Sequence, residues 1–237
     1  MMERDWSSPF GGRGISAAAI AAEKGVRTRQ RALRERAGEG ASNEGHVGDK
    51  WQLLRALTVS RAVFGVSDRT LSVLSALLSF HPGKGLEGSA PAIVFPSNAE
   101  LSVRSHGMAP ATLRRHLASL VEAGLILRRD SPNGKRYRRT ADAPGAEGES
   151  FGFDLSPLAL LASRIFAEQE RSEARARQAR KLRAAITLVR RDTAKVIEAA
   201  IEEGREGPFL DMNVRLAEMQ LPSRSQDFET DRLQVLL

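Results

Sequence analysis

From residue 50 onward, apolar positions fall into helical and strand periods. Trp51, Leu54, Leu57 and Arg61 or Ala62 recur every three or four residues, which predicts a helix. Ser67 is placed as an N-cap with Asp68 in the first turn. Leu71, Leu74, Leu77 and Leu78 then form a core stripe, stopped by His81, Pro82 and Gly83. Residues 82–91 are a Gly-rich loop. Ile93, Val94 and Phe95 read as a short strand that Pro96 closes.

The next stretch carries the most specific local signals. Ser97 and Glu100 are spaced as a capping box and open a short helix through Leu101 and Val103. Ser105, His106 and Gly107 break it, with Gly107 suited to the positive φ of a tight turn. Pro110 stands at or near the first position of a second helix, residues 111–123, which Gly124 ends. At 100° per residue, Leu113, Leu117, Leu120 and Val121 share one side. Ala111, Thr112, Arg115, Ala118 and Ser119 share the other, flanked by Arg114 and His116. Two short helices joined by a Gly-containing turn predict a helix-turn-helix. A small, hydrogen-bonding outer face with one long cation suits a DNA major groove, where Arg can span guanine O6 and N7.

Residues 125–129 then read as a strand. Residues 130–134 hold turn chemistry, with Asn133-Gly134 as a hairpin signal, and residues 135–139 read as the return strand. This hairpin, a wing, carries six cations: Arg128, Arg129, Lys135, Arg136, Arg138 and Arg139. Residues 141–150 are linker-like. Residues 151–155 suggest another strand beside the wing. Ser156-Pro157 opens a long helix, unbroken or interrupted, that runs to Gly204. Its charged and Ala-rich first half gives way to a stripe of Leu182, Ile186, Val189, Thr193, Val196 or Ile197, and Ala200. That stripe fits either core packing or a homodimer surface. Residues 205–237 read as a tail or as the start of a further C-terminal region.

Residues 1–46 form a Gly- and Ser-punctuated arm, expected to be flexible, with a short helix in the basic stretch 24–36. A solubilising role and a phosphate-gripping role both fit this arm.

Charge sharpens the picture. Residues 97–139 carry nine basic and three acidic side chains, a net +6 against +7 for the whole chain. Concentration of the excess in one motif points to a polyanion.

Several chemistries have no support. The chain has no cysteine, and its four histidines, His46, His81, His106 and His116, lack metal-ligand spacing. Gly134-Lys135 lacks the flanking residues of a P-loop. We therefore expect no enzymatic activity, no cofactor and no metal. The apolar stretch 15–22 is too short for a membrane span, so no membrane association is expected and the cytoplasm is the expected compartment.

The runs 94–101 (VFPSNAEL), 104–117 (RSHGMAPATLRRHL), 125–137 (LILRRDSPNGKRY), 151–157 (FGFDLSP) and 187–192 (TLVRRD) resemble the replication protein C family. These are the initiators of repABC-type plasmids of alphaproteobacteria. The resemblance covers roughly residues 50–204 and consists of long contiguous runs. It implies binding to a plasmid origin, thought in this family to lie within the initiator's own coding sequence, with host replication proteins as further partners. It carries DNA contact onto Thr112, Arg114, Arg115, Lys135 and Arg136. Family members usually continue into a second, C-terminal domain.

The expectation is thus a mainly α (α+β) fold. It has a winged helix-turn-helix at 47–155, a long helix at 156–204, and double-stranded DNA as partner. The candidate contacts are Arg104, Ser105, His106, Ala111, Thr112, Arg114, Arg115, Ser119, Arg128, Arg129, Asn133, Lys135, Arg136, Arg138 and Arg139. Two rival readings share these residues: a winged-helix transcriptional regulator, and a helical interaction protein whose basic charge is incidental.

Overall fold

In the computed structural model, residues 17–38, 46–129, 137–138, 150–219, 233 and 235 are described. The elements run α1 (Ala17–Gly38), β1 (His46–Val47), α2 (Lys50–Val59), α3 (Asp68–Phe80), β2 (Leu86–Glu87), β3 (Ile93–Val94) and α4 (Asn98–Arg104). They continue with α5 (Pro110–Glu122), β4 (Leu127–Arg129), β5 (Tyr137–Arg138), β6 (Ser150–Asp154), α6 (Ser156–Leu160), α7 (Ala162–Glu202) and α8 (Phe209–Glu218). The fold is mainly helical with a small antiparallel sheet. It divides into two compact units, Met1–Gln169 and Glu170–Leu237.

In the first unit α3 is the central helix. The Ser67 side chain accepts from the Thr70 amide and starts it. Thr70, Leu71, Val73, Leu74, Ala76, Leu77 and Leu78 are all buried, because α2, α4 and α5 pack around this one element. The stripe predicted for α2 is rotated. Lys50, Leu53, Ala56 and Leu57 are buried, while Trp51 and Leu54 sit at the core margin. Lys50 is tolerated inside because its ammonium donates to the His81 carbonyl and lies over the Trp51 ring. Burial holds its pKa below the usual lysine value.

Strand β6 is the hub of the sheet. It lies between β3 and β4, and β5 pairs with it too. Ile93 faces Asp154, Leu127 also faces Asp154, and Tyr137 faces Phe151. The hairpin expected between residues 125–129 and 135–139 is therefore not the observed pairing. Among the described residues β5 pairs with β6, and β4 and β5 run in the same direction along it. The strand anticipated at 151–155 is thus the one that organises the sheet.

The helix expected within 24–36 extends over Ala17–Gly38. It is anchored by Gln30, 4% exposed, whose Nε2 donates to Ser156 Oγ at 2.8 Å. Arg34 Nε also donates to the Ser89 carbonyl at 2.6 Å. Ser156 is not the N-cap. It is buried in the first turn of α6, and its amide donates to Asp154 Oδ1. The long helix breaks once, at Leu161, between α6 and α7.

In the second unit α8 lies along α7, with Arg190 Nη2 donating to the Leu216 carbonyl at 3.1 Å. A cation there meets the carbonyl end of α8, where it is favoured. Of the predicted stripe, Leu182, Ile186, Ile197 and Ala200 are buried within the chain, whereas Val189 and Val196 are exposed. Among the described residues no helix is long and apolar enough to cross a membrane.

Candidate nucleic-acid interface

Helices α4 and α5 are joined by residues 105–109. Both halves of the capping box form: Glu100 N donates to Ser97 Oγ, and Ser97 N donates to Glu100 Oε2. The Ser97 amide first, and then the Ser97 hydroxyl, hold the Glu100 carboxyl below its usual pKa. At the other end of α4, His106 and Gly107 both take positive φ, 60° and 72°. The Gly107 amide then bonds back to Ser102 O at 2.8 Å, and Ser102 Oγ donates to Met108 O. A histidine thus occupies the left-handed position where glycine is usual. Pro110 is the first residue of α5, as its spacing predicts. Gly124, at φ 68°, closes α5. Leu125 N bonds to Leu120 O and Gly124 N to Val121 O, with both leucines buried.

The faces of α5 follow the sequence period. Leu113, Leu117 and Leu120 are buried against the core. Ala111, Arg114, Arg115 and Ala118 are exposed, and Thr112 and Ser119 are half-buried. Arg104, the last residue of α4, stacks its guanidinium 3.6 Å over the Phe80 ring and donates to Ser79 Oγ at 2.6 Å. That locks α4 onto the end of α3. His106 projects from the turn and is exposed.

Two candidates, Ser105 and Arg129, behave differently, and so does His116 at the edge of the outer face. Ser105 is 3% exposed, and its Oγ has no hydrogen-bond partner among the described residues. It faces the interior and is not placed for a ligand. His116, expected to flank the outer face, is 7% exposed, and its Nδ1 lies 3.0 Å from Thr70 Oγ1. Arg129 turns inward to donate to the fully buried carboxylate of Asp154, 2.9 Å away, while Arg128 remains exposed. Arg138 is placed in β5 opposite Ser150. Asn133, Lys135, Arg136 and Arg139 lie outside the described residues.

Residues 22–201 match the replication protein C N-terminal domain. The chain belongs to the replication protein C family. A relative from Sinorhizobium fredii, named "Putative replication protein C", is 52% identical over 159 residues, covering 67% of this chain and 39% of the relative. A second, of the same name from Rhizobium rhizogenes, is 43% identical over 203 residues, covering 86% of this chain and 47% of the relative. The chain therefore spans less than half the length of either. No solved structure matches it.

Within this replication protein C domain, two functional supports escaped the sequence reading. One is Asp154, whose Oδ1 accepts from the amides of Ala92 and Ser156 while Oδ2 takes Arg129. An acid ending an otherwise apolar strand was the available signal. The other is the chain Ser67 Oγ–Thr70 Oγ1–His116 Nδ1, which ties α5 to the start of α3. Burial first, then the Arg115 charge and then the Arg69 charge, lowers the pKa of His116. The ring is therefore held toward its neutral form, and the tie can form without burying a charge. No local pattern reveals it, since the partners are 46 residues apart.

Proposed function

We propose that residues 47–155 form a winged helix-turn-helix that binds double-stranded DNA sequence-specifically. In this reading α5 enters the major groove, and the chain is the DNA-binding part of a plasmid replication initiator acting at its origin. The observation that carries the reading is the outer face of α5. It presents Ala111, Thr112, Arg114, Arg115, Ala118 and Ser119, on a helix whose opposite face is fully committed to the core. Small residues let the helix approach base edges closely, and Arg115 supplies the long donor that reads guanine. The element order also supports it: a helix, a strand, the α4–α5 pair, and then strands brought together by β6. Arg128 and the basic residues of 135–139 follow α5 in sequence and would grip phosphates, fixing register without reading sequence. The protein acts by binding in the cytoplasm, without a chemical step. Host replication proteins, and a second copy of the chain, are the partners this role would need. Membership of the replication protein C family supports the choice of a plasmid origin over other DNA.

The test is a footprint of the protein on plasmid DNA that carries its own coding sequence, with random DNA as competitor over a range of salt. One protected site within the origin region, resisting a large excess of competitor, is the expected result. Protection only at a promoter would replace the initiator with a transcriptional regulator. Equal competition by random DNA would remove sequence-specific binding altogether.

A further inference from the structure

The hydrogen bond between His116 and Thr70 sets two exposed arginines beside each other. Thr70 and His116 are both buried, and each is preceded in its helix by an exposed arginine, Arg69 on α3 and Arg115 on α5. The two cations therefore flank this bonded pair of residues from different helices. Both charges also lower the pKa of the His116 ring, after burial. Neither has a hydrogen bond or ion pair among the described residues. The acid next to Arg69, Asp68, is committed to Arg61 at 2.9 Å. The His116 ring itself leaves Nε2 buried and without a partner. Two cations with no ion pair among the described residues, flanking the Thr70–His116 bond and with Arg69 in the first turn of a 13-residue helix, make a local field that favours an anion.

We propose that Arg69 is a DNA-phosphate contact, holding a backbone phosphate beside the point where Arg115 enters the groove. This rests on the DNA-binding reading of α5 and adds a site on α3, outside the α4–α5 pair and the strands that follow it. The chemistry is that of a positioning contact. A guanidinium on a phosphate raises affinity for every sequence and releases counterions, whereas a base contact separates one sequence from another.

The experiment measures binding of the full chain to its footprinted site and to random duplex, each across salt, for wild type, Arg69→Ala, Arg69→Lys, Arg115→Ala and Arg175→Ala. Arg175, exposed on α7, controls for the loss of one positive charge. Arg69→Ala is expected to weaken binding to both duplexes by the same factor, about eightfold at 0.1 M salt, and to lower the salt slope by about one. Arg69→Lys should recover the slope. Arg115→Ala should instead narrow the gap between specific and random DNA.

An unchanged slope in Arg69→Ala, with wild type binding normally, overturns the Arg69 contact and leaves the reading of α5 standing. An equal loss in Arg175→Ala overturns it too, since the effect would then be one of net charge. Failure of the wild type to bind any duplex overturns the reading and this inference together. Unfolding midpoints of the variants, expected to match wild type because Arg69 is exposed and has no ion pair among the described residues, separate lost contact from lost fold.

Discussion

Arg129 donates to Asp154 at 2.9 Å, joining the end of β4 to the end of β6 through a carboxylate with no solvent exposure. The same carboxylate caps the start of α6 and holds the Ala92 amide just before β3. One side chain thereby ties β3, β4 and α6 to the end of β6. Removing a partner from a buried pair leaves an uncompensated charge, which typically costs about 3–5 kcal/mol.

We therefore expect Asp154→Ala to lose about 3–5 kcal/mol in urea unfolding. Arg129→Ala should lose less, about 2–3 kcal/mol, because the guanidinium is partly exposed and water replaces some of what is lost. Both should leave the salt slope of DNA binding unchanged under conditions where the variants remain folded. A reduced slope in Arg129→Ala would return this residue to the interface.

Arg115→Ala is expected to cost about 1–3 kcal/mol in specific binding and to relax discrimination at one base pair. Competition binding against single-base variants of the site reads this directly. Unaltered discrimination would show that Arg115 does not read a base.

Gly152→Ala should unfold the sheet. A Cβ at this position would run into the backbone carbonyl oxygen of Val94, which faces Phe153 in the β3–β6 ladder. Backbone cannot step aside as a flexible side chain can, so β3 must separate from β6. Loss of cooperative unfolding, together with loss of DNA binding, is the expected outcome. Near-wild-type stability would show that the two strands can part at little cost.

Acid should weaken the fold through its histidines. His116 and His81 both have pKa values lowered below the ordinary histidine value, chiefly by burial. Arg115 and Arg69 add to this for His116, and Lys50 does for His81. The unfolded chain then binds more protons than the folded one below about pH 6.5. Stability contributed by these rings is fully present above that pH and falls as pH drops toward the folded-state values. Glu100 acts in a lower window: its depressed pKa stabilises above the ordinary carboxylate range and is lost as pH falls through it. Urea midpoints measured from pH 7.5 to 5 should decline, and the decline should shrink when His116 is replaced by Gln. A flat profile would contradict the burial of His116 and the partial burial of His81.

Much of the α4–α5 region was legible because its signals are local. Ser97 with Glu100, Pro110 and Gly124 each specify a backbone state within a few residues, and each is realised. The outward face of α5 followed from period alone. What failed depends on residues far apart. Asn133-Gly134 suggested that β4 and β5 pair with each other, yet β6 takes both. Arg129 looked like one more wing cation until Asp154, 25 residues on, claimed it. The burial of Lys50 and Gln30 has no local signal either, since it rests on the carbonyl of His81 and the hydroxyl of Ser156, both far away along the chain.

The placement of β6 also governs when this domain can come into being. Ile93 has its partner 61 positions later, at Asp154. A ribosome adding ~5–20 residues per second leaves β3 waiting about 3 to 12 seconds before that partner is even synthesised. Throughout that interval the nascent chain displays unmatched strand edges, the features that invite pairing with other chains. Any product ending before residue 150 would stay in that condition permanently, so premature termination there should yield aggregate rather than a smaller working protein.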